Sequence, residues 1–361
     1  LNHLDTLYSR YEDEKYGMYS SNPAKGHGLD YYSKNNKRFP AKLIYKTDTF
    51  NVKIKSHGNQ PDLHKKNSFI SLNVKSDSKI KPFNEKKLKL IIYERVNYRK
   101  KYDEIILMSK KFDLEFFPSK MINVNIKGIG EHLFYMEYKL NEKNLKELFP
   151  NKDFLFIKGI EGNIILNNSH KQNKFLQKLK KSKDSLVYQS IINLNKDINS
   201  NNLENIIDYF NFSYITSFEA FRTVGGLTGH GLEGDNLEIF YNKQDNKFYP
   251  IIHRDCFFGK IDTCDFNLTC LDKYRWDGGG NYGNSLTLFK LIRNHPSVKS
   301  EVRKKIIKFL ITKEKTIESL KLIKNKHEIR YYPFYINNMK NLKYYYDPVI
   351  DNIKFLERIL N

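Results

Sequence analysis

Long apolar runs are missing from this chain. No stretch of about 18 apolar residues occurs, which excludes a membrane-spanning helix from the sequence. Cysteine is scarce as well: Cys256, Cys264 and Cys270 are the only three, with no CxxC pair and no spacing typical of zinc. Cys264 and Cys270 can pair if the protein is exported, or stay as buried thiols, so the compartment is open on this ground. The sequence opens at Leu1 rather than methionine, and its lack of a leader does not argue against export. Internal repeats are absent. Acidic residues are outnumbered, 41 Asp+Glu against 62 Lys+Arg, which leaves a net charge of +21.

That charge suits an acidic partner such as a nucleotide, an acidic polypeptide or an anionic surface. Its bland explanation is codon usage, because Lys, Asn, Ile, Tyr and Phe, the residues of AT-rich codons, crowd the whole chain. The basic segments "KKLKL" and "VNYRKK" lack the arginine-and-glycine pattern of RNA-binding modules. At 361 residues the chain can bury a sizeable core and make two lobes.

The organisation changes along the chain. Residues 1–37 are polar and tyrosine-rich, with "SSNPAKGHG", and read as an irregular arm. From Arg38 the segments "AKLIYKT", "FNVKIKS", "NSFISLNV" and "LKLIIYERV" alternate apolar with polar residues, the pattern of antiparallel strands. "YDEIILMSKKFDLEFF" has helical spacing up to Pro118, and "SKMINVNIKGIGEHLFYMEYKL" reads as strand, glycine turn, strand. Residues 38–138 are thus expected to form a strand-rich small lobe. Residues 139–361 are expected to form a mainly helical large lobe with a polar hairpin near 236–255. Within it, "NEKNLKELF" reads as a short helix and "KDFLFIKG" as a strand. Residues 163–200, low in apolar pattern, read as an insertion or partly mobile helix. "NLENIIDYFNFSYITSFEAFRT" reads as one long amphipathic helix, with Leu203, Ile206, Ile207, Phe210 and Tyr214 on one face. Residues 284–361 read as helices interrupted at Pro296, Pro333 and Pro348. The fold class is α+β.

"NKFYPIIHRDCFFGK" raises a chemical question, because Asp255 ends an apolar strand. A carboxylate there is costly unless something pairs with it: a cation, a lysine or water. Three blocks bear on the answer. "RFPAKLIYKTDTFNVKIKSHGNQPDLHKKNSFISL", "VNIKGIGEHLFYMEYKLNEKNLKELF" and "EAFRTVGGLTGHGLEGDNLEIFYNKQDNKFYPIIHRDCFFG" follow one another from about Arg38 to Gly259. Together they resemble the CotH kinase family, the spore coat protein H group. Its pattern is a basic-glycine-asparagine turn with a "KKS-aromatic" strand, then a "GxYxxxE" strand, then an asparagine before an aromatic strand with a closing "WDxD…FG".

The resemblance implies a two-lobed protein-kinase-like fold that transfers the γ-phosphoryl of ATP, with Mg2+ or Mn2+, to Ser/Thr hydroxyls of a protein acceptor. Nucleic acid is not an expected partner, and the setting implied is a cell envelope, a spore coat or secretion. Lys66, with Lys65 beside it, matches the family's basic pair and would reach the phosphates; the rival reading is a solvated lysine at a strand mouth. Lys55, Gly58 and Asn59 form a turn whose amides can approach phosphate, or a plain hairpin turn. Glu137 matches the family's glutamate, to contact the nucleotide or pair with Lys66, or simply to end a strand. Asn236 and Asp255 match the metal-binding pair, one amide oxygen and one carboxylate suited to a hard cation.

The chain also departs from the family's pattern. Ile252 and His253 replace the tryptophan and first aspartate of "WDxD". Thr228 falls near the position of an upstream acid, for which Glu233 or Asp235 can substitute. His230 or His253 can accept a proton, since histidine titrates near neutrality. The string "HRD" echoes a protein-kinase catalytic loop, but Lys260 stands where an asparagine is needed. Two other readings follow: a degenerate member that binds nucleotide or a partner as a scaffold, and a basic protein that binds acidic polymers.

Overall fold

The structure is a computed structural model that describes residues 38–56, 71–80, 85–92, 102–116, 119–126, 130–138, 141–157, 170–181, 184–226, 238–252, 283–335 and 348–360. The protein is α+β, with a curled antiparallel sheet and many helices. Two compact units divide the chain: Leu1–Tyr98 with Pro118–Lys139, and Arg99–Phe117 with Leu140–Asn361. Among the described residues no helix is long and apolar enough to cross a membrane.

The first unit is a six-stranded sheet. Its strands are β1 (Phe39–Tyr45), β2 (Asp48–Ser56), β3 (Leu72–Ile80), β4 (Glu85–Ile92), β5 (Ser119–Ile126) and β6 (Gly130–Glu137). They lie in the order β1-β2-β3-β4-β6-β5, every pair antiparallel. Alternation sends Val52, Leu72, Val74, Leu88, Leu90, Phe134 and Met136 to one face, where they form the unit's core. The third strand runs further than "NSFISLNV" suggested. Beyond Val74 the segment "KSDSKI" stays in the sheet because Ser76 and Ile80 still point inward, with a register irregularity between Lys75 and Ile80. The two strands read on either side of the glycine turn pair antiparallel as β5 and β6, with Ile126 opposite Gly130, and the turn between them lies outside the described residues.

The second unit holds α1 (Tyr102–Lys111), α2 (Glu142–Leu148), β7 (Phe154–Ile157), α3 (His170–Lys181), α4 (Ser185–Asn199), α5 (Leu203–Asp208) and α6 (Phe212–Gly225). It continues with β8 (Glu238–Asn242), β9 (Lys247–Ile251), α7 (Gly283–Asn294), α8 (Pro296–Ile311), α9 (Lys313–Tyr335) and α10 (Pro348–Leu360). β7, β8 and β9 make a second antiparallel sheet in that order. Asn141 caps α2, its side-chain oxygen accepting from the Asn144 amide.

Three sequence expectations change here. The helical pattern before Pro118 ends at Lys111. Asp113 takes a left-handed φ of 54°, and Phe116 leaves the helix to bridge Ile252. The long amphipathic helix is two helices. Asn211 stops the first pattern and caps the second, its Oδ1 accepting from the Tyr214 amide at 3.0 Å, while Phe210 bridges Phe248. Residues 170–199, within the supposed insertion, are α3 and α4 and belong to the core. Val187, Ile191, Leu194 and Ile198 recur at helical spacing and are buried with Leu176 and Leu179. Each such burial contributes about 1.5–3 kcal/mol, and these residues suffice because they share one face, while Leu186 stays exposed off it. Pro296 and Pro348 open helices, where a missing amide costs nothing, whereas Pro333 lies inside the last turn of α9.

Candidate functional site

β6 ends on Glu137, the residue with which the "GxYxxxE"-like strand closes. The ladder sets it directly opposite Lys89 of β4, and Lys89 Nζ meets Glu137 Oε2 at 2.7 Å. The Glu137 side chain is 3% exposed and that of Lys89 33%. A buried carboxylate needs such a partner, because stranding the charge costs several kcal/mol. Sequence reasoning left Glu137 to contact the nucleotide, pair with Lys66 or end a strand exposed; the side chain is buried, and Lys89, which sits in the alternating "KKLKLII", was not singled out. Register, a non-local property, is what selects it.

Lys55 of β2 lies in the same cross-strand row. The register runs Lys55 opposite Asn73, Asn73 opposite Lys89, Lys89 opposite Glu137, and Glu137 opposite Ser119. Directly opposed residues point to the same face, and three strand spacings put Lys55 and Glu137 about 14 Å apart along the row. Lys55 is half-buried. Desolvation, and then the nearby Arg38 guanidinium, hold its amine below the usual lysine range. Arg38 is anchored through Nη1 to the carbonyls of Asn73 at 3.4 Å and Lys53 at 3.5 Å.

The other sequence-predicted site residues, Lys65, Lys66, His230, Glu233, Asp235, Asn236, His253 and Asp255, lie outside the described residues, as do the three cysteines. Among the described residues no group of three or more His, Cys, Asp or Glu is placed to hold a metal ion. The elements that lead to those positions are well defined. β8 and β9 hold Glu238 opposite Ile251, and Asn236 and Asp255 stand two and four residues beyond that pair in the chain. Tyr214 braces the hairpin from α6. Its hydroxyl donates to the Pro250 carbonyl at 2.8 Å and accepts from the Glu115 amide at 3.1 Å. Burial drives its ionisation far above the usual tyrosine range.

The chain enters the 227–237 segment from the C-terminus of α6, and that end is held by buried charge. Glu219 Oε1 meets Arg222 Nη1 at 2.9 Å, and Glu219 Oε2 faces Arg293 Nε of α7 at 3.6 Å. The Arg222 guanidinium lies over the Phe289 ring at 5.1 Å and the Phe218 ring at 6.0 Å, so aromatic faces share its charge. The Asn352 side-chain amide donates to the Val224 carbonyl at 3.0 Å, and Gly226 closes the helix at a left-handed φ of 52°. Sequence reasoning passed over Glu219 and Arg222. The available signal was two opposite charges three apart inside the apolar run "SFEAFRTV", which only mutual pairing makes tolerable. No protein-family model matches the chain, and no curated protein matches it.

Proposed function

We propose that this protein is an ATP-dependent, metal-requiring phosphotransferase of the CotH kind, with a two-lobed protein-kinase-like fold, acting on Ser/Thr hydroxyls of a protein acceptor. The observation that carries the reading is the β8–β9 hairpin. In the chain, the family-like asparagine Asn236 stands two residues before Glu238, and the aspartate Asp255 four residues after Ile251, the two residues that pair at its open end. The three sequence blocks in family order support the same reading. An amide oxygen and a carboxylate are hard ligands of the kind Mg2+ or Mn2+ takes, and the resemblance gives Lys65 and Lys66 the family's role of meeting a triphosphate, with backbone amides of the turn that begins at Lys55. In the reaction the acceptor's hydroxyl oxygen bonds to the γ-phosphorus, the bond to the bridging oxygen breaks, and ADP leaves. The hydroxyl proton passes to His253 or His230 as base.

Incubation with labelled ATP and Mg2+ or Mn2+ tests this. The expected result is self-labelling or labelling of an added acceptor, reduced at least about a hundredfold by Asp255→Ala. Labelling unaffected by that substitution overturns the assignment. So does a protein that ATP plus metal neither labels nor stabilises against heat. One observation favours a second reading: His253 occupies the position of the family's first carboxylate. A thermal shift by ATP plus metal with no transfer to any acceptor would establish a nucleotide-binding scaffold instead.

A further inference from the structure

On the face of the six-stranded sheet turned away from its core, β2, β3 and β4 carry an arrangement that folding by itself disfavours, while further along the same face Ile91, Tyr135 and Glu137 are buried. Lys53 of β2 stands directly opposite Lys75 of β3, and Lys75 directly opposite Lys87 of β4. All three side chains are exposed. Strand spacing is about 4.8 Å, so three ammonium groups share one cross-strand row, and like charges directly opposed destabilise a sheet. Among the described residues no ion pair involves Lys53, Lys75 or Lys87. Two positions further along the strands runs the row of Lys55, Asn73 and Lys89, and on the other side Lys42 stands opposite Asn51. A shallow cavity of 360 Å³ opens on this face, lined by Pro40, Lys42, Asn51, Lys53, Lys75 and Asp77 among others.

We infer that this face binds an extended acidic polypeptide. Along β2, lysines recur every second residue, Lys53 to Lys55, about 6.7 Å apart, and Lys75 and Lys87 extend the Lys53 row across the sheet, whereas Lys89 is already paired with Glu137. An extended chain presents its own side chains on one side with the same period, so alternate carboxylates meet successive rows. Asn51, which is exposed, supplies an amide group beside Lys42 and Lys53 for the partner's backbone. The rows contain no aromatic side chain, so the stacking platform of a single-stranded nucleic-acid site is missing. Among the described residues of β1 to β4, Ile44 is the one large apolar side chain that stands exposed, which is too little for insertion into a lipid surface. The inference uses none of the residues assigned to phosphoryl transfer except Lys55 at its border, and it stands whether or not transfer occurs.

The test is fluorescence anisotropy with a labelled oligoglutamate peptide, without ATP or metal, at low and at physiological salt. Wild type is compared with Lys53→Gln/Lys75→Gln/Lys87→Gln and with a control of equal charge, Lys299→Gln/Lys308→Gln/Lys315→Gln, whose lysines are exposed in α8 and α9. All six positions are on the surface, and circular dichroism confirms that the variants fold. The expected result is a loss of peptide affinity of roughly tenfold in the sheet variant and under about twofold in the control. Equal losses in the two variants would reduce the effect to net charge and overturn the inference. Tighter binding of an oligonucleotide of equal charge, or of phosphatidylserine vesicles, would overturn the choice of polypeptide.

Discussion

Glu219→Gln is the most informative single substitution in the helical unit. The side chain is 1% exposed and lies between two guanidinium groups, Arg222 at 2.9 Å and Arg293 at 3.6 Å. Glutamine keeps the shape and the hydrogen-bonding oxygen but removes the negative charge, leaving two cations facing a neutral group. Breaking a buried pair from one side costs about 3–5 kcal/mol, a large part of the roughly 5–15 kcal/mol that holds a typical domain together. For a domain of this size each kcal/mol moves the melting temperature by about 2–4 °C, so a drop of about 6–20 °C is expected. Arg222→Met should cost less, because its aliphatic part still fills the space between Phe218 and Phe289 and Glu219 still faces Arg293. Glu219→Met and Arg222→Met together should lose less than the sum of the two single changes, since both halves of one pair then leave the interior. Thermal and urea unfolding followed by far-ultraviolet circular dichroism, with Glu219→Met alone completing the cycle, give the four values. A Glu219→Gln protein melting within about 2 °C of wild type would refute the reasoning, and so would strict additivity in the double variant.

Two further outcomes follow from the same geometry. Burial raises the Glu115 carboxyl above its ordinary value, against a smaller lowering by Lys152, so its charged form is disfavoured in the fold. The native state then binds the proton more tightly than the unfolded chain, and this group's contribution to stability falls as pH rises from 4.5 through the raised folded value. Glu115→Gln should therefore gain melting temperature relative to wild type as pH rises across that window; a difference that does not change with pH contradicts the assignment. Lys89→Met removes the partner of the buried Glu137 and should cost about 1.5–3 kcal/mol in urea unfolding. The swap Lys89→Glu/Glu137→Lys should recover part of that loss, and a swap no better than the single change would show that the pair itself contributes nothing.

Much of the local structure was legible because its causes are local. Alternation in "FNVKIKS" and "HLFYMEY", the asparagine at 141 and the prolines at 296 and 348 each act within a few residues. The break between α5 and α6 escaped the same reading. Leu203 to Tyr214 keep one apolar face through the interruption, and only the Phe210–Phe248 bridge and the Asn211 cap reveal where the backbone turns. The core role of α3 and α4 was hidden by composition, since lysine and asparagine are frequent in a segment where Leu176, Leu179, Val187, Ile191, Leu194 and Ile198 are buried while Leu186 stays exposed.

The sequence by itself determined most of the elements, their α+β character and a family-like order of motifs, because side-chain period and turn chemistry are properties of neighbours in the chain. Tertiary structure alone decided which charges meet. Lys89 finds Glu137 through strand register, Lys53, Lys75 and Lys87 are forced into one row by the same register, and Glu219 reaches Arg293 by helix packing across much of the chain. Coulomb energy depends on distances that only the completed fold sets.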